Sequence, residues 1–370
     1  MSKKLKYMPI LRGLQEEVKV LKSFDFGQNI YPYIEIVKEL DRLPPKPRKG
    51  AKKPAKPKPV KQFEQVYLPL IQNIKAEKVF IDLPVHLSPK RGMKDVTLNF
   101  LQTVVGNRNT RTEYLKKLSP LASKVIPVIS SYFGRTNEQN SIVIQANDLR
   151  SSFDVLAFRI FHEGFERDIS QIETVLTTKD YVIIDWEDTP LDLSDSEQKE
   201  ILKKIKTLKC HLIIHRNAIP KEITNVGLVH TRVIDGIDNS LSEQYKNFSG
   251  SSFSDHAGIK KALMTKGGSV SPGFIYYDAV KNKFYGYKSD IKEWAELETT
   301  IVPAVISSAS SNRMHNDPLD YLGTGNIGWQ ILQSIHNGDE SGKYPAVYKR
   351  IALEHYLHCV KTKILNGEFD

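Results

Sequence analysis

The residues of this sequence that could do chemistry are charged or polar groups set late in, or directly after, short apolar runs. Asp185 closes Tyr-Val-Ile-Ile, Glu35 and Asp82 sit inside two further runs, Arg159 lies within Val155–Phe161, and His215 ends His-Leu-Ile-Ile-His. Arg12, Ser130, Arg216, Arg232 and Asp235 occupy comparable places. A charge buried without a partner is costly, so such groups either pair with one another or wait for a ligand. Two readings follow. In one, Glu35, Asp82 and Asp185 pair with Arg12, Arg159 and Arg232 as an internal network. In the other, the cluster is a pocket in which Arg12, Asp82, Arg159, Arg216, Arg232 and Asp235 bind an anionic ligand, because guanidinium forks suit phosphate and carboxylate. A catalytic version uses Asp185, Glu35 and His215. Its carboxylates would hold Mg²⁺ and His215 would act as acid or base, giving a metal-dependent phosphodiesterase- or nuclease-like hydrolase. No motif spacing specifies that metal. Glu187 and Asp188 read as loop or capping acids.

The elements that must position these residues alternate strand and helix. Eight runs qualify as strands: YMPIL, IYPYIEIV, VFIDLPV, VIPVIS, VLAFRIF, YVIIDW, HLIIH and GLVHTRVI. Continuous Val/Ile/Leu runs of this length suit a parallel sheet covered by helices on both faces. Eight β/α units over about 235 residues approach the size of a (β/α)8 barrel, whose working residues stand at the C-terminal strand ends. A doubly wound sheet would carry a glycine-rich first turn, which is missing. The expected fold is therefore α/β: a (β/α)8 TIM-barrel-like core over residues 1–250 and a small α+β C-terminal extension over 251–370. Within the latter, GFIYYD and KFYGYK read as a hairpin and Phe253–Gly258 as a turn. SIVIQ (141–145) reads as a short strand outside the main set. Ser194-x-x-Glu197 has capping-box spacing at the start of a helix over 194–208.

The net charge of +10 belongs to one tract. Residues 46–61 hold eight Lys/Arg and no acid, and removing them leaves +2. With six prolines between Pro44 and Pro59, the segment 44–61 reads as an extended flexible insertion. It could contact nucleic-acid phosphate or an acidic protein partner weakly, but it lacks aromatics for base stacking. Two cysteines without CxxC spacing, and no apolar run of membrane-spanning length, point to a cytoplasmic protein. His355-x-x-His358-Cys359 reads as helix packing rather than a zinc site, because further ligands are lacking. Gly323–Trp329 reads as a loop, since it follows no strand and has no Walker lysine.

Several short motifs carry a resemblance. The chain opens with Tyr7-x-Pro9-Ile10-Leu11 and continues with Pro32-x-Ile34-Glu35-Ile36, Ile81-Asp82-Leu83 and Pro127-Val128-Ile129. Then come the strands bearing Arg159 and Asp185, and FSDHAG before an aromatic hairpin. Over nearly the whole chain this resembles the Beta protein family of phages and bacteria. The Lys/Pro insertion and the His256 after Asp255 depart from the pattern. The resemblance implies a phage or antiphage-defence setting and brings no settled activity, so the function it suggests is an interaction or binding scaffold.

Overall fold

Eight parallel strands close into a barrel in the computed structural model, which describes residues 5–39, 61–90, 92–261 and 270–370. They are β1 (Tyr7–Arg12), β2 (Tyr33–Glu35), β3 (Val79–Asp82), β4 (Val125–Ile129), β5 (Ala157–Phe161), β6 (Tyr181–Asp185), β7 (His211–His215) and β8 (Ser252–Asp255). Each pairs in parallel with its sequence neighbours, and β8 closes on β1 through Tyr7↔Phe253 and Pro9↔Asp255. Helices fill the connections, as in the (β/α)8 plan. The segment 44–60 lies outside the described residues.

The two-residue period of a strand sorts the barrel interior into layers. Met8, Ile10, Tyr33, Phe80, Ile126, Val128, Ala157, Ile183 and Ile213 form an apolar plug. One step further along the same faces come Arg12, Glu35, Asp82, Ser130, Arg159, Asp185 and His215, all buried. The alternate residues, such as Leu11, Ile34, Ile81 and Val182, belong to the outer core beneath the helices. The polar layer thus caps an apolar plug at the C-terminal strand ends.

The eighth strand is Ser252–Asp255 rather than GLVHTRVI. Its inward residues are serines, and each meets an imidazole: Ser252 Oγ lies 3.0 Å from His211 Nε2, and Ser254 Oγ lies 2.9 Å from His215 Nδ1. A strand whose inner face is hydroxyl-lined escapes a search for apolar runs. Of the GLVHTRVI segment, only Arg232–Val233 is a strand, and it pairs antiparallel with Lys283–Lys288 of the C-terminal hairpin. SIVIQ likewise opens a helix, Ser141–Arg150, which buries Ile142, Gln145, Ala146 and Leu149 at helical spacing. The helix after β6 runs Ser196–Ile205, and Asp195, not Ser194, caps it by accepting from Gln198 N at 2.8 Å.

The hairpin Gly273–Asp278 and Lys283–Lys288 packs with the last helix, Pro345–Leu365, which also lies against Gln15–Ser23 and Ile327–Asn337. Tyr356 of that helix and Tyr7 of β1 each donate to Asp255 at 2.5 Å, joining the extension to the seam where the barrel closes. His355 and Cys359 are core residues: His355 Nδ1 lies 2.8 Å from Asn326 Nδ2 and its Nε2 lies 2.8 Å from the Tyr277 carbonyl oxygen.

Candidate functional site at the barrel mouth

Arg159 stands at the centre of the polar layer. Its guanidinium pairs with Asp185 Oδ2 at 2.7 Å and Glu35 Oε1 at 3.1 Å, and lies 3.5 Å from Asp82 Oδ2. It also donates to the Tyr33 hydroxyl at 3.0 Å, and Tyr33 donates to Asp82 at 2.7 Å. Arg12 Nε donates to Glu35 Oε2 at 3.0 Å. A third arginine arrives from the helix Arg108–Lys116. Arg111 donates to Asp82 Oδ1, to the Leu83 and Val128 carbonyl oxygens and to Gln145 Oε1, all at 2.7–2.8 Å. Three carboxylates therefore face three guanidiniums. Burial would raise the Glu35 carboxyl, but Arg12, His86 and Arg159 hold it well below its usual range. Asp185 is likewise lowered, against burial, chiefly by Arg159.

Three imidazoles surround this network. His86 follows β3 and its Nε2 lies 3.3 Å from Glu35 Oε1. His215 Nε2 lies 3.8 Å from Asp185, and its ring centroid is 5.3 Å from that of His256. Burial holds all three below the ordinary histidine value, His215 at about 4, so at neutral pH they are uncharged hydrogen-bonding groups.

Above the layer opens a cleft of about 730 Å³, lined by Arg12, His86, His162, Glu187 and Lys261 among others. Its lip is tied across the mouth by Lys261 Nζ to Glu187 Oε1 at 2.9 Å. Glu187 holds a left-handed backbone (φ 51°), fixed by donation of its N–H to Asp185 Oδ1 and by acceptance from Asn217 N. Such conformations concentrate at functional sites. A second cavity of about 370 Å³ adjoins, sharing His86, Glu163 and Glu187 and reaching Ser130.

Buried polar atoms without a hydrogen-bond partner collect here. Among the described residues, and leaving out Arg159 Nη2 and His86 Nε2, which face Asp185 and Glu35, eight such side-chain atoms belong to seven residues at this end of the barrel: His86, Ser130, His162, Trp186, His215, Asn217 and His256. Native interiors satisfy nearly all such groups, so this concentration marks a place where a ligand or water completes the bonding.

The structure brings together Arg12, Glu35, Asp82, Ser130, Arg159, Asp185 and His215, as the strand-end pattern anticipates. It does not bring in the others. Arg216 has the opposite strand parity and pairs with Asp238 Oδ2 at 2.8 Å. Arg232 and Asp235 are exposed, the first in the small antiparallel sheet, and neither lines the cleft or joins the ion pairs. Arg111, Tyr33, His86 and Lys261 complete the site without a signal read from the sequence, and so does His256, noted there only as a departure from the family pattern. His86 carried the same signal as the rest, a polar residue straight after an apolar run. Arg111, inside a polar helix, carried none.

Glu35, Asp82 and His86 each place one ligand atom within 4.8 Å of the others, the spacing a metal ion needs. The donor set does not fit a divalent cation. Arg12 and Arg159 hold Glu35, while Arg111 and Tyr33 hold Asp82, so a cation would enter a charge-balanced cluster beside three buried guanidiniums.

Among the described residues no helix is long and apolar enough to cross a membrane. Comparison with curated proteins and with solved structures finds no match. The Beta protein family model matches residues 7–361, the barrel together with the elements that follow it, and the chain belongs to that family.

Proposed function

We propose that this chain is a binding scaffold, acting in the phage or antiphage-defence setting that the family resemblance implies, whose barrel mouth takes up a small polar ligand carrying an anionic group. The observation that carries this is the concentration of buried, unpartnered polar atoms around a cleft of about 730 Å³. Arg12 supports the anionic part. It lines the cleft, and among the described residues its side chain donates only from Nε, leaving both terminal Nη groups for a ligand fork. Lys90, Lys221 and Lys261 line the same cleft. Its acids are partly engaged, Glu187 with Lys261 and Asp188 with Asn217.

Binding is better supported than hydrolysis. Asp185 and Glu35 are held by Arg159, so both carboxylates named for catalysis are occupied in the network, while His215 keeps Nδ1 2.9 Å from Ser254 Oγ and leaves Nε2 unpartnered. Calorimetric titration with inorganic phosphate and with small dicarboxylates tests the proposal. Binding that Arg12→Gln weakens about tenfold, the value of one charge-assisted hydrogen bond, and that Arg232→Gln leaves unchanged is the expected result. Equal loss in both variants would mean general surface attraction and would defeat it.

A further inference from the structure

We propose that the ligand of the barrel mouth is a phosphorylated compound carrying a planar ring, of the nucleoside monophosphate class. This inference rests on reading the mouth as an anion-binding site. Size is the first reason. A cleft of about 730 Å³ with an adjoining cavity of about 370 Å³ far exceeds one phosphate group and falls in the range of about 300–1,000 Å³ typical of sites for whole organic ligands.

The second reason is that the cleft has two unlike walls. One carries Arg12 and Lys261 over the buried imidazoles and suits the phosphate. The other carries His162, whose ring is stacked on Trp186 at a centroid distance of 5.6 Å and an interplanar angle of 20°. Trp186 is buried, so the indole backs an imidazole that lines the cleft. Pro190 adds apolar surface to the cleft, and so do Leu87 and Met93, which cluster with Leu14 and Val37. A flat, backed imidazole beside aliphatic side chains is a platform for a planar ring.

The third reason is the edge chemistry of that platform. His162 Nδ1 lies buried and unpartnered in the plane of the platform, where a group reaching past the edge of a stacked ring can hydrogen-bond to it. Glu163, at the junction of the two cavities, supplies an acceptor for a ring amino group or sugar hydroxyls.

The test is a calorimetric comparison, on the full chain, of inorganic phosphate, a panel of nucleosides and the matching nucleoside monophosphates, repeated with His162→Ala. In the wild type at least one nucleoside monophosphate binds about tenfold or more tightly than both phosphate and its nucleoside. His162→Ala loses about tenfold more on that nucleotide than on phosphate, the scale of one base–aromatic stack. The wild-type panel decides the question even where the variant fails to fold. Nucleotides that bind no better than phosphate overturn the ring wall and leave the anion site standing. A nucleoside that binds as tightly as its monophosphate overturns the phosphate wall. Absence of binding by every probe overturns both this inference and the anion-binding reading beneath it.

Discussion

Arg159 compensates Glu35, Asp82 and Asp185 together, from a position that is 1% exposed. Breaking a buried pair leaves uncompensated charge, at a cost of about 3–5 kcal/mol, and here three carboxylates lose a shared partner. Arg159→Met is therefore expected to lower unfolding free energy in urea by at least about 3 kcal/mol, whereas exposed Arg232→Met stays within about 0.5 kcal/mol. His215 makes a separate prediction through pH. Its folded value near 4 lies below the ordinary 6.5, so between these values the unfolded chain binds the extra proton and His215 contributes stability that rises with pH. That contribution is present above about pH 6.5 and lost by about pH 4. The stability difference between wild type and His215→Gln should shrink by roughly 3 kcal/mol as pH falls through that window, read from urea melts at each pH. A difference independent of pH would show that His215 titrates alike in both states. At this scale the sequence was informative where a polar residue interrupted an apolar strand, as with Glu35, Asp82, Arg159 and Asp185. It was silent on Arg111, because a buried arginine in a polar helix has the same neighbours in sequence as an exposed one.

The elements show where strand-finding by hydrophobicity works and where it stops. Seven barrel strands lie in mostly apolar runs and were legible, since both their faces are buried. β8 was not, because its inner face is serine against histidine and its identity is set by pairing with β1 and β7. The turn after it explains the glycine of FSDHAG. Gly258 has φ 71°, and a Cβ there would stand 2.7 Å from the Tyr356 ring, the residue that also donates to Asp255. Gly258→Ala is therefore expected to cost about 2 kcal/mol or more, from left-handed backbone and overlap together, measured by thermal or urea denaturation. A neutral substitution would mean that the seam between β8 and the last helix is looser than described.

For the whole molecule, charge and site separate. The basic tract carries eight of the charges that make the chain +10, while the mouth balances three carboxylates with three arginines. Deleting residues 44–61 is expected to reduce retention on DNA at low salt, a counterion-release effect, without changing affinity at the mouth. Retention unchanged by the deletion would remove the tract from any nucleic-acid role. The barrel was legible in the sequence through seven of its eight repeating units, and the mouth as the end at which their polar residues gather. What fills the mouth was not, because a ligand is recognised by the convergence of side chains such as Arg12, His86 and Lys261, which lie far apart in sequence. Side-chain ¹⁵N NMR of the ten histidines, recorded while phosphate or a nucleoside monophosphate is titrated into the full chain, addresses that convergence directly. The account predicts that the His86, His215 and His256 ring signals move together along one saturating curve while His336 and His355 stay still. Signals at the mouth that remain fixed at saturating ligand, or that move no more than His336, would contradict it.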